Sequence, residues 1–125
     1  MAKATNKLRI LLVEDDSLLG MLLGELLEDM GHAVCAIETT EDDAVAAALR
    51  DKPDLVVADA WLRVGSGMAA VARMESNGAM PHVLISGSLD RIRALRPGAV
   101  MLQKPFSETE LARAIDRAMG VAAVV

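Results

Sequence analysis

The chain is short of several things that would announce a function. It has one cysteine, Cys35, so an internal disulfide and a cysteine-built zinc site are both excluded. It has no excess of positive charge: 13 Lys and Arg against 18 Asp and Glu give a net charge of −5, which argues against a dedicated nucleic-acid binder. It has no long apolar run. The most apolar stretch, Leu18 to Met30, is broken by Glu25, Glu28 and Asp29 and is too short and too charged to cross a bilayer. The polar start, Met1 to Lys7, is not followed by a signal-type apolar segment. No glycine-rich loop ends in Lys-Ser or Lys-Thr, and no dinucleotide-type turn is present, so a P-loop NTPase and a flavin or nicotinamide protein are set aside. A cytoplasmic protein without a membrane partner is expected.

What is present suffices for one domain. At 125 residues, with 53 % hydrophobic and 25 % charged, the chain can bury a proper core and is not disordered. Short apolar runs alternate with helical periods. Leu8 to Val13 is a continuous apolar run, the pattern of a strand buried on both faces in a parallel sheet. A helix capped by Asp16 or Ser17 follows, with Leu19, Leu22, Leu23, Leu26 and Met30 on one face and Gly31 as its stop. The cycle repeats with a weak strand from Ala33 to Ile37 and an Ala-rich helix opened at Thr40 and running to about Arg50. Pro53 prevents continuation and leads into a strand ending at Asp59. A helix from Gly67 to Ser76, a strand from His82 to Ser86, two helical turns at most between Leu89 and Leu95, and a strand from Ala99 to Leu102 come next. Ser107 to Glu110 is a full capping-box pattern opening a last helix to about Met119. Strand–helix units joined this tightly imply a doubly wound α/β domain, a five-stranded parallel sheet with helices on both faces. Residues 1–7 read as a polar lead-in, 8–120 as the domain and 121–125 as an apolar tail, a frayed end or a continuation of helix packing.

In open α/β sheets, ligands bind beyond the carboxyl ends of the strands. Strand one ends in Glu14-Asp15-Asp16, strand three in Asp59, strand four in Ser86 and strand five in Lys104-Pro105. Singly, each has an ordinary use as a turn residue, a helix cap or a solvated lysine. Together they place carboxylates, a hydroxyl and an amine on one rim. Neighbouring first and third strands would crowd Glu14, Asp15 and Asp59, and crowded carboxylates repel at a cost of several kcal/mol unless compensated. A hard cation resolves this: Mg²⁺ prefers oxygen ligands and combines one or two carboxylates with phosphate oxygens.

With these residues in place, the sequence resembles a receiver domain of bacterial two-component response regulators. The resemblance rests on Ile10-Leu11-Leu12-Val13-Glu14-Asp15-Asp16, Pro53 to Asp59, Val83-Leu84-Ile85-Ser86-Gly87 and Lys104-Pro105-Phe106, and spans Leu8 to Met119. It implies a flavodoxin-like strand order 2-1-3-4-5. It assigns Asp59 as phosphoacceptor, Asp15 as direct Mg²⁺ ligand with Glu14 beside it, and the backbone carbonyl of Trp61 as a further ligand. Ser86 becomes the switch hydroxyl, and Lys104 the lysine that pairs with the phosphoryl group, its bond to Pro105 cis. The implied partners are a sensor histidine kinase or histidine phosphotransfer protein and a downstream protein. Beyond Mg²⁺-dependent self-phosphorylation and dephosphorylation at Asp59, no enzyme activity is expected. With nothing in the sequence to bind DNA, output is expected through protein–protein contact, from a stand-alone regulator or a phosphoryl sink.

Three positions depart from the family pattern. Met101 stands three positions before Lys104, where an aromatic switch residue is common; without tyrosine the usual hydroxyl-to-ring coupling is lost. Arg63 stands where a proline often follows the phosphoacceptor loop. Eighteen positions separate Ser86 from Lys104, about one helical turn fewer than usual, so a short or irregular fourth helix is expected. Some stress-response receivers share a reduced fourth helix, but this chain lacks their aromatic-rich fourth strand. Arg91, Arg93 and Arg96 read as a solvated basic face before they read as a partner surface, and His32 and His82 belong to the opposite rim. Two rivals are weaker. A docking module that is never phosphorylated has no use for the set of acids, serine and lysine. A phosphatase of the haloacid-dehalogenase type wants a second acid two residues after its nucleophile, where this chain has Trp61.

Overall fold

The computed structural model describes residues 7–120. Five strands and five helices alternate: β1 (Arg9–Val13), α1 (Ser17–Asp29), β2 (Ala33–Glu38), α2 (Glu41–Asp51), β3 (Leu55–Asp59), α3 (Gly67–Glu75), β4 (His82–Ser86), α4 (Asp90–Leu95), β5 (Met101–Gln103) and α5 (Glu108–Ala118). The strands form one parallel sheet in the order β2-β1-β3-β4-β5. The lead-in up to Asn6 and the tail from Val121 lie outside the described residues.

Alternation along the strands divides the core in two. Leu11, Val13, Val56, Ala58 and Leu84 face α2, α3 and α4, where Ala44, Ala47, Val71, Met74 and Ile92 meet them. Ile10, Leu12, Leu55, Val57, Val83 and Ile85 face α1 and α5 and pack on Leu27, Leu111, Ala114 and Ile115. Strands covered on both sides explain the unbroken apolar runs. The central strands are thereby packed on both faces, and that packing positions their carboxyl ends.

Local capping follows the sequence closely. The side chains of Asp16, Thr40, Ser66 and Ser107 each accept a hydrogen bond from a backbone N–H in the first turn of their helices. Ser107 and Glu110 form a reciprocal capping box. Gly31, at φ 100°, takes the left-handed conformation that ends α1. As expected, α4 is short, at 6 residues.

Two expectations are corrected. Pairing in β5 starts at Met101, not Ala99, because only from there does the chain lie in register with Leu84 of β4. The buried face of α1 is not the full leucine stripe. Gly20, Gly24 and Leu27 are its buried residues, while Leu19 and Leu22 remain 44 % and 49 % exposed. The two glycines leave room for Ile37 and Glu14 against Gly20 and for Ile37, Leu12 and Val34 against Gly24. That close approach rotates the helix and carries Leu19 and Leu22 outward.

Candidate functional site

The parallel sheet delivers all the rim residues to one end. Asp59 closes β3, Ser86 closes β4, Glu14 and Asp15 follow β1, and Lys104 follows β5. One carboxylate oxygen from each of Glu14, Asp15 and Asp59 lies within 4.8 Å of the others. Lys104 Nζ sits among them, 3.0 Å from Asp59 Oδ2 and 3.4 Å from Glu14 Oε1.

Each acid has a distinct environment. Glu14 is buried, and its Oε2 accepts from the backbone N–H of Asp16 at 3.2 Å. Burial raises its pKa, partly offset by that hydrogen bond and by the charge of Lys104. Asp59 Oδ1 accepts from the backbone N–H of Trp61 at 3.2 Å, leaving Oδ2 to Lys104. Asp15 Oδ2 accepts from the backbone N–H of Arg63 at 2.6 Å. Burial works to lower the pKa of Lys104, but its hydrogen bond to Asp59 and the charges of Asp59 and Glu14 outweigh this and raise it. The ammonium is therefore held in its charged form.

The donor set fits a hard divalent cation. It consists of carboxylate oxygens, and the lysine and arginine offset only part of a three-acid cluster that excludes soft ligands. Glu14, Asp15 and Asp59 are the side chains that could hold the ion.

Ser86 is buried, its Oγ accepting from the N–H of Ser88 at 3.2 Å. Its carbonyl accepts from the N–H of Lys104 at 2.9 Å, so the β4 end fixes the lysine's backbone. The Lys104–Pro105 peptide bond is cis. Met101 is half-buried against the α2–α3–α4 side of the core.

Arg91 and Arg93 of α4 are exposed, and they and the C-cap residue Arg96 each have a partner. The Arg91 guanidinium lies 4.2 Å above the Trp61 ring, Arg96 pairs with Glu75 at 2.8 Å, and Arg93 reaches Asp90 at 3.4 Å. A cation over an indole face is attracted by the ring quadrupole, which explains why Arg91 lies over Trp61. His32 and His82 lie at the amino ends of β2 and β4, away from the acids.

Two supporting residues carried little signal in the sequence. Gly67 begins α3, and any side chain there would run into the carbonyl of Asp59. Glu41 begins α2 and accepts from the N–H of Ser66 at 3.1 Å and from Arg73 at 3.1 Å, tying the β3–α3 loop to the neighbouring helix. Gly65, at φ 79°, packs directly on Glu41. The cluster Gly65-Ser66-Gly67 was the available hint.

Beside the acids, an apolar groove of about 530 Å³ runs along α1, lined by Leu19, Leu22, Leu26 and Phe106, with Glu14 and Lys104 at its edge. No helix of the described residues is long and apolar enough to cross a membrane.

Comparison with known proteins agrees with this geometry. The family model described as the response regulator receiver domain matches residues 10–116. The chain is 33 % identical over 115 residues to the transcriptional regulatory protein PdtaR of Mycobacterium tuberculosis, covering 89 % of this chain and 56 % of that protein. It is 33 % identical over 114 residues to the phyllosphere-induced regulator PhyR of Methylorubrum extorquens, covering 88 % of this chain and 43 % of that one. The chain thus spans about half the length of these relatives. Among solved structures, the solution structure of the Erythrobacter litoralis PhyR receiver domain superposes with a TM-score of 0.84 at 29 % identity, covering 98 % of this chain and all of that one. The response regulator PhyR from Brucella abortus gives 0.83 at 28 % identity, covering 92 % of this chain and 49 % of that one.

Proposed function

The chain belongs to the response regulator receiver domain family, and from that premise we propose that Asp59 accepts a phosphoryl group from a phosphohistidine on a sensor kinase or phosphotransfer protein. The receiver unit is taken as residues 8–120, and the regulator acts in the cytoplasm. The observation that carries the reading is the placement of Lys104 Nζ on Asp59 Oδ2, inside a cluster of three acids.

In this reading an Asp59 carboxylate oxygen attacks phosphorus in line. The phosphorus–nitrogen bond breaks, its electron pair stays on nitrogen, and the imidazole, already protonated on its other ring nitrogen, leaves as a neutral base. Such transfers depend on positioning and on neutralising charge over the equatorial oxygens. Lys104 provides a fixed positive charge at the acceptor oxygen. Glu14, Asp15, Asp59 and the Trp61 carbonyl would hold Mg²⁺, which supplies further charge neutralisation when bound. The Ser86 hydroxyl, now accepting from Ser88, is free to donate its proton to a phosphoryl oxygen. The added charge and acceptors then draw in the β4–α4 loop, and a downstream protein reads the altered surface. With Met101 in place of an aromatic switch, that movement runs through the short α4. Exposed Leu19 and Leu22 beside the site favour a protein as phosphoryl donor over a small molecule alone.

The test uses Trp61, the single tryptophan. Its fluorescence is followed on adding Mg²⁺ and then beryllofluoride or acetyl phosphate to wild type and Asp59→Asn. A response to the phosphoryl mimic that disappears in the variant is expected. Equal, flat traces would favour an unphosphorylated docking module.

A further inference from the structure

We propose that Arg63 is a built-in counter-cation that competes with the divalent metal ion for Asp15 and so sets the metal concentration at which the site fills. This rests on the metal reading of the acidic cluster given above and concerns a residue to which that reading assigns no part.

The cluster divides its cations unevenly. Lys104 serves Glu14 and Asp59. Asp15 receives none of it; among the described residues its ion-pair partner is Arg63, with Nε 3.6 Å from Oδ2. A second guanidinium nitrogen, Nη2, lies 3.5 Å from the Asp15 backbone carbonyl. The pair joins positions 48 residues apart, so it is made by the fold and not by local sequence.

Arg63 makes two kinds of contact with the same oxygen, and they differ in permanence. The backbone N–H, 2.6 Å from Oδ2, belongs to the β3–α3 loop and orients the carboxylate. The guanidinium sits on a side chain that is 79 % exposed, against 18 % for that of Asp15. It can therefore swing into solvent without disturbing the core, while the N–H keeps Asp15 aimed at its neighbours. A carboxylate already neutralised by a guanidinium attracts a cation less strongly. Metal binding at Asp15 thus replaces one cation by another, and Arg63 opposes it.

The experiment is calorimetric titration of Mg²⁺ into the full chain, wild type against Arg63→Gln. The glutamine keeps the backbone donor and removes the charge. The variant is expected to bind Mg²⁺ about two- to fivefold more tightly, the range an exposed ion pair supports. Arg91→Gln is the control for charge alone: it removes an equal charge from the neighbouring Trp61 ring without touching Asp15. Its affinity is expected to change by less than that of Arg63→Gln. Unchanged or weaker binding in Arg63→Gln overturns the proposal, as does an equal gain in Arg91→Gln. If the wild type binds no Mg²⁺, the metal reading itself fails, an outcome distinct from binding that is insensitive to Arg63.

Discussion

Gly67 and Asp59 meet backbone to backbone: the first residue of α3 packs against the carbonyl of the last residue of β3 so closely that a methyl group would strike it. The Gly67 N–H also donates to the carbonyl of Ala60 at 3.0 Å, so strand end and helix start are one unit. Gly67→Ala must push α3 away or tilt the end of β3, and overpacking of this kind costs about 1–3 kcal/mol. The variant is expected to lose that much in denaturant unfolding. Because the displaced residue is the proposed acceptor, phosphorylation by acetyl phosphate should fall further than stability does. Full activity in a destabilised variant would show that the contact only supports the fold.

The features visible in the sequence were those set by short separations. Ser107 and Glu110 cap each other three positions apart, and Asp16 and Thr40 bond the turn that follows them. The convergence of Glu14, Asp15 and Asp59 was legible for a different reason: parallel strands buried on both faces must end on the same rim. What escaped depends on distant partners. Leucine periodicity in α1 does not reveal that Gly20 and Gly24 admit Ile37 and Glu14 and so choose the buried face. Nor does any local pattern predict Glu41 on Ser66, Arg91 on Trp61 or Arg63 on Asp15, each a contact made only once the sheet is assembled.

Removing the lysine should expose the strain in the acidic cluster. Lys104 Nζ touches both Glu14 and Asp59, whose side chains are only 6 % and 13 % exposed. Lys104→Gln leaves these carboxylates without their shared cation, and a buried group stripped of its partner costs about 1–3 kcal/mol, more when it is charged. In the absence of divalent ions the variant should unfold at lower denaturant concentration by that amount. Adding Mg²⁺ should restore a larger share of stability to the variant than it adds to the wild type. A variant as stable as the wild type without metal would mean that the acids do not repel one another.

The rotated α1 separates stability from recognition. Leu22 is exposed along the groove, whereas Leu27 is fully buried between α1 and the sheet. Leu22→Ser should change stability by no more than about 0.5 kcal/mol. Leu27→Ala should cost about 2–5 kcal/mol through lost burial and the cavity left behind. With a protein donor, Leu22→Ser should slow phosphoryl transfer to Asp59 while leaving transfer from acetyl phosphate unchanged. Equal rates with both donors would remove the α1 groove from the donor interface.

The pH dependence of folding should carry the mark of a residue remote from the acids. His32 is buried at the start of β2, its Nδ1 accepting from the backbone N–H of Leu8 at 3.1 Å and its Nε2 without a partner among the described residues. Burial lowers the pKa of this imidazole below its usual 6.5, with the charge of Asp116 pulling partly the other way. The unfolded chain therefore takes up this proton at higher pH than the folded one. The contribution of neutral His32 is fully present above pH 6.5 and is lost as the pH falls below it toward the depressed folded value. Protonating Nδ1 would also turn an acceptor into a donor facing the Leu8 N–H. His32→Asn keeps an acceptor near the position of Nδ1 and cannot titrate. Unfolding free energies measured between about pH 7.5 and pH 5.5 should fall more steeply for the wild type than for this variant. Parallel curves would assign the acid sensitivity to other groups, Glu14 excepted, since its raised pKa makes the fold gain and not lose stability as it protonates.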